Sequence, residues 1–237
     1  MINATIYEQQ KLNGNKKIVF VLTLLIQVCF LFFFAIVGRF ETSNDNILAD
    51  YNTIIALSST ITISTLLIYG SFCINRFIVK DFVGSGKERI YLYPNGRLSL
   101  YHTKVIAFLK TYVKYIFVSA ISGNMLFLCS ELLFPIVLKQ SFGLENIIYI
   151  IVIPLIIAII AVCLIIISSF LGIRFSSTNA TIVTSILLVT LLSNVVAFML
   201  MTSIYLSCGV AIILCGVTYC GSKAIVKRLN RDDVIYK

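Results

Sequence analysis

Few side chains in this sequence are equipped for chemistry, and most of them lie inside long apolar runs. The seven cysteines are Cys29, Cys73, Cys129, Cys163, Cys208, Cys215 and Cys220; no two form a C-x-x-C pair, and the single histidine is His102. A metal site wants Cys and His ligands clustered in sequence, so these cysteines are expected to be small buried apolar side chains. Glu131 is the one acidic residue within an apolar run. Without a second acid, a histidine or a paired nucleophile it does not complete a hydrolytic or group-transfer centre, and it is expected to be a solvated carboxylate near the end of its segment. Gln27, Asn124 and Asn194 are uncharged polar residues inside apolar runs. They are expected to bond between helices, with a cargo pathway that also includes Glu131 as the alternative. The stretch Gly84-Ser85-Gly86-Lys87-Glu88 hints at a phosphate loop. That motif, however, needs Ser or Thr after the lysine and a glycine where Asp81 stands. No catalytic, metal or cofactor site is therefore assigned to this chain.

The elements that position these residues follow from composition. Of 237 residues, 59% are apolar and only 12% are charged, against roughly 45–50% and about 25% in a soluble domain. A soluble fold of this size has too little interior to hide so much apolar surface. A bilayer-crossing helix needs about 20 mostly apolar residues, and the uncharged runs supply five such blocks: 18–38, 51–75, 115–138 (broken only by Glu131), 146–173 and 175–222. The last is long enough for two spans, with the break near Phe198 to Ser203. The expectation is an all-α polytopic protein forming one domain, with six spans at about 18–38, 53–75, 115–138, 147–172, 180–197 and 203–222. Continuous apolar runs exclude a transmembrane barrel, whose strands alternate in polarity. The first run is too long for a signal-peptide core and has no small-residue cleavage site after it. Pro154 removes one backbone bond within the fourth span, as is common in membrane helices.

The net charge of +9 is unevenly spread. Sorted by loop, 17 basic residues fall on one side and 2 on the other. Lys/Arg-rich loops stay cytoplasmic, so both termini are expected inside a cell-membrane, multi-pass protein. The basic excess then reads as a topology signal and an attraction to anionic headgroups rather than as a nucleic-acid surface.

One loop is long and patterned. Residues 76–114 carry eight basic residues. Within them, Asp81 to Gly86 breaks the preceding helix, and Lys87 to Tyr93 has room for two helical turns. Pro94-Asn95-Gly96 is a turn, and Leu98 to Lys110 reads as a helix leading into the third span. A short helix held between two turns at the membrane face suits docking to a partner; a solvated basic loop lying on headgroups is the other reading.

The spacing in this loop resembles that of membrane subunits of type-two ABC exporters. Their pattern is an acidic residue, G-T-x-E-x-L, a proline six after the glutamate, S-R beyond it, and a lysine seven after the arginine. Here Glu88 stands for the acid, Ile90 for the Leu, and Pro94 lies six after Glu88, while Arg97 takes the Arg position and Lys104 the Lys position. Ser85-Gly86 replaces Gly-Thr and Gly96 replaces the Ser. Glu8 and Lys11 resemble the amphipathic connecting helix that precedes the first span in this family, with Gly14 interrupting it. The resemblance implies a pore of two permease subunits, as a homodimer or with a sister permease. Each would dock a separate ABC ATPase through Glu88, Ile90, Tyr91, Leu92, Pro94 and Arg97, with ATP and Mg bound in that partner. Small size and short outer loops look most like permeases that clear antimicrobial peptides, lantibiotic self-protection systems included. Two rivals stay open: a membrane anchor or assembly protein without a pore, and an intramembrane enzyme.

Overall fold

The computed structural model describes residues 2–40, 48, 50–83, 97–137 and 144–235. Seven helices account for nearly all of them, and the described residues contain no strand. A short α1 (Ile2–Lys11) leads through Leu12 into α2 (Asn13–Phe40). Next come α3 (Tyr51–Ile74), prolonged by a π turn (Asn75–Val79) and one further turn (Lys80–Phe82), and α4 (Arg97–Leu133). The chain closes with α5 (Leu144–Arg174), α6 (Thr178–Thr202) and α7 (Ile204–Ile235). Helices α2 to α7 are long and apolar enough to cross a membrane, which makes this an all-α, multi-pass membrane protein. In lipid every backbone N–H and C=O must be satisfied within its own segment, and the helix does that.

Burial sorts the six spans into a centre and a periphery. The most apolar stretch of α5 is 72% buried, against 11% for α6 and for α7. Accordingly α5 packs against α3, α4, α6 and α7, whereas α2 packs on α3 and α4 from the other side. Pro154 is buried and α5 continues through it. Helix α2 buries one narrow stripe, Val19, Thr23, Gln27, Leu31 and Ala35, at four-residue spacing. Helix α3 hides its many hydroxyls by bonding them to its own backbone, as Ser58 does to the Ile55 carbonyl (3.0 Å) and Ser64 to the Thr60 carbonyl (2.9 Å).

Several boundaries differ from the sequence expectation. Gly14 does not interrupt the N-terminal helices; the break is at buried Leu12, and α2 starts five residues before the first apolar run. The second span runs on through the π turn to Phe82. The third ends at Leu133, because Phe134 to Val137 leaves the helix under the control of Glu131, described below. The break between the fifth and sixth spans is a single residue. Ser203 is extended, its N–H reaches back to the Met199 carbonyl, and its hydroxyl accepts the Leu206 N–H (3.2 Å). That is an ordinary serine N-cap for α7, so no Pro or Gly was required to turn the chain.

Candidate functional site

Polar groups gather at three levels of the bundle, and the middle level lies deepest. Gln27 on α2 faces Ser58, Ser59 and Thr62 on α3 and Asn124 on α4. The two Nε2 hydrogens of Gln27 are shared among Asn124 Oδ1 (3.0 Å), Ser58 Oγ (3.2 Å) and Ser59 Oγ (3.4 Å), and its Oε1 accepts from Thr62 Oγ1 (2.7 Å). All five residues are buried. The helices come this close because of Gly123, where a Cβ would sit 3.2 Å from Gln27 Cγ. One turn away, the Ser119 hydroxyl donates to the Phe20 carbonyl (2.7 Å) and ties α2 to α4 again. The cluster offers amides and hydroxyls, so it can orient, bind and hydrogen-bond. Asn124 Nδ2 is buried there with no partner among the described residues.

At one end of the bundle, Glu131 overturns its expected solvation. It is 2% exposed, and its Oε2 accepts the backbone N–H groups of Ile136 (3.0 Å) and Val137 (3.1 Å). The carboxylate caps the non-helical segment that follows α4 around Pro135, satisfying N–H donors that a proline-interrupted segment leaves open. Its other oxygen is buried without a hydrogen-bond partner among the described residues. Phe127, one turn back on α4, stacks on Tyr51 (centroids 5.6 Å apart) and meets Phe32 edge-on (5.3 Å). An aromatic layer therefore separates Glu131 from the Gln27 cluster. Asn194 takes no part in either group; it is exposed on α6.

At the opposite end, a lysine joins three elements. Lys104 on α4 has a side chain only 7% exposed. Its Nζ donates to the Phe77 carbonyl (2.9 Å), makes a close ion pair with Asp81, lies 4.0 Å from Glu8 Oε2, and sits 4.9 Å over the Phe77 ring. Glu8 is itself buried (4%) and accepts from Lys11 (2.8 Å). Both Phe77 and Asp81 depend on the π turn, in which the Lys80 N–H reaches back five residues to the Asn75 carbonyl. Such a turn adds one residue to the helical repeat and is often found at functional positions. The Asn75 side chain also donates to the Thr178 carbonyl at the start of α6 (3.0 Å). The N-terminal helix, the base of α3 and the first turns of α4 are thus fastened at one buried ammonium.

Glu88, Ile90, Tyr91, Leu92 and Pro94 lie outside the described residues, and Arg97 opens α4. The cysteines depart from their expected burial. Only Cys73 and Cys163 are buried; Cys208 is half-buried, and Cys29, Cys129, Cys215 and Cys220 are exposed on outward faces. In lipid a thiol is small and apolar enough to face outward at little cost. No group of His, Cys, Asp or Glu among the described residues is placed to hold a metal ion.

Sequence reasoning found Gln27 and Asn124 but missed their α3 partners. The signal was present in Ser58-Ser59-Thr60-Ile61-Thr62, which puts hydroxyls at i and i+4 on one helix face. The meeting of Glu8, Asp81 and Lys104 joins residues 73 and 96 positions apart, and no spacing rule reaches that far. No family model, no curated protein and no solved structure matches the chain.

Proposed function

We propose that this chain is the permease subunit of an ATP-binding-cassette transporter, driven by a separate ATPase subunit. Its task is to export or clear a peptide or amphiphile, of the antimicrobial-peptide kind, from the cell membrane. The observation that carries the reading is the Lys104 junction. Lysine 104 ends the exporter-like spacing, and its partners Glu8 and Asp81 belong to the N-terminal helix and to the base of α3 from which the patterned loop departs. A push on that loop from a docked ATPase is transmitted through this fastening to α1, α3 and α4 together. In this reading both termini and the 76–114 loop are cytoplasmic, and ATP and Mg bind in the partner. A second permease subunit, as a homodimer or a sister chain, completes the pore. The large exposed side chains of α6 and α7, among them Leu191, Phe198, Ile212 and Ile213, support a membrane neighbour; they equally support the reading as an anchor or assembly protein.

The test is co-purification in mild detergent. An ABC ATPase recovered with the wild-type chain, and lost with Glu88→Lys or Arg97→Glu while membrane insertion persists, supports the proposal. Recovery of no ATPase, or equal recovery with both variants, refutes the docking assignment.

A further inference from the structure

Near the Lys104 end of the bundle, a groove of about 700 Å³ runs between α5 and α7. This is within the ~300–1,000 Å³ range of ligand sites. Phe170 and Leu171 line it from α5, Val217 and Ile225 from α7. Gly221 lets an edge of the Phe170 ring pack close to α7 and form part of the groove wall, since a Cβ there would fall 2.6 Å from the ring. At its rim stand two cations, Arg174 at the end of α5 and Lys227 on α7. Both belong to the strongly basic side of the chain.

An apolar trough that ends in two positive charges at headgroup depth suits an amphiphile with an apolar tail and an anionic head. We propose that it is a specific site for one anionic phospholipid, with an acyl chain along Leu171, Val217 and Ile225 and the phosphate between Arg174 and Lys227. Charge decides against the other occupants. A cationic amphiphilic peptide brings its positive groups to a positive rim, and a second copy of this chain brings an identical basic edge. The inference rests on the membrane placement of the helices and is independent of the transport reading.

Each basic side chain near an anionic headgroup contributes about fivefold in affinity, so the pair predicts a ~25-fold preference for phosphatidylglycerol over phosphatidylcholine. The full chain, purified from phosphatidylcholine nanodiscs doped with phosphatidylglycerol, is assayed by native mass spectrometry for retained lipid. The expected result is one retained phosphatidylglycerol per chain, a preference cut to about fivefold by Lys227→Gln and abolished by Arg174→Gln with Lys227→Gln. Both side chains are exposed, and the helicity and micelle-unfolding midpoint of each variant are measured alongside to show that it keeps the fold. Ala224→Phe, which fills the groove, removes retention of either lipid. Equal retention of both lipids by the wild type overturns the site, as does a preference that survives the double variant. Competition by inorganic phosphate alone, or a two-chain mass that Ala224→Phe abolishes, overturns it in favour of a free anion or a second copy.

Discussion

Replacing Lys104 by methionine keeps an unbranched apolar stem and removes the ammonium that sits over the Phe77 ring. Breaking a fully buried ion pair costs about 3–5 kcal/mol. Two observations lower that figure here: Asp81 is 42% exposed, so water takes up part of its charge, and Glu8 keeps its bond to Lys11. Against this, the Phe77 carbonyl loses a donor, worth about 1–3 kcal/mol if it stays dry. The net expectation is a loss of about 2–3 kcal/mol for Lys104→Met. Asp81→Asn costs about 1 kcal/mol, and the double variant falls short of additivity by a similar amount, because the two residues share one interaction. Reversible unfolding in mixed micelles, titrated with sodium dodecyl sulfate, measures all three. A cysteine placed at Leu12, which is buried where α1 meets α2, in a background with the seven native cysteines replaced, gives a local readout: labelling by a water-soluble maleimide rises in Lys104→Met if the ammonium holds α1 to the bundle. A Lys104→Met variant within ~0.5 kcal/mol of wild type, the range of ordinary surface changes, with unchanged labelling, would falsify the fastening role.

The remaining expectations concern the interior and the turns. Gln27→Ala removes four interhelical contacts worth about 0.6 kcal/mol each and should destabilise the bundle by roughly 2 kcal/mol in the same titration; an unchanged midpoint means the cluster is hydrated and already satisfied by water. Ser176, between α5 and α6, holds φ +51° at the position where helix-ending turns favour glycine, with its own N–H bonded to the Ile173 carbonyl and that of Ser177 to the Gly172 carbonyl in that pattern. Ser176→Gly relieves a left-handed conformation costing about 1 kcal/mol and should raise stability by that amount; a loss of stability refutes the strain. The thiols of Cys163 and Cys215 touch at 3.7 Å, and Cys215 is open to lipid. A membrane-soluble oxidant should therefore close a bridge within one chain, read as the loss of two maleimide-reactive thiols that Cys215→Ser prevents. Retention of all seven free thiols counts against that geometry.

How far the sequence carries depends on how local the physics is. Six spans were legible because a bilayer demands long uncharged runs, and that demand leaves little freedom. Span ends were less legible, since capping is done by single residues: Ser203 turns the chain between α6 and α7 with one hydroxyl, and Glu131 ends α4 by accepting two N–H groups beyond Pro135. Glu131 was misplaced for an instructive reason. Counting residues along a helix measures depth but not which way a side chain faces, and here it turns inward. The cysteines erred the other way, because the rule that thiols are buried comes from proteins surrounded by water. Asn124 and Asn194 look alike in sequence, yet one is buried against Gln27 and the other is exposed, a difference fixed only by how the helices pack.

The one-residue joint at Ser203 also bears on how the protein enters the membrane. Helix α6 has 25 residues, about 37 Å at 1.5 Å per residue, more than the ~30 Å hydrocarbon core, so it must tilt or project. Because α7 begins one residue later, the two helices have little slack to tilt separately, and bilayer thickness acts on them as a pair. The apex between them carries no charge. Pushing it through the bilayer therefore moves no ion across the apolar core, and nothing polar beyond the hydroxyls of Thr202, Ser203 and Tyr205 and the turn's own backbone resists. The α6–α7 hairpin is thus suited to insert as a single folded unit, with its orientation set by Arg174 before it and the lysines and arginines after it.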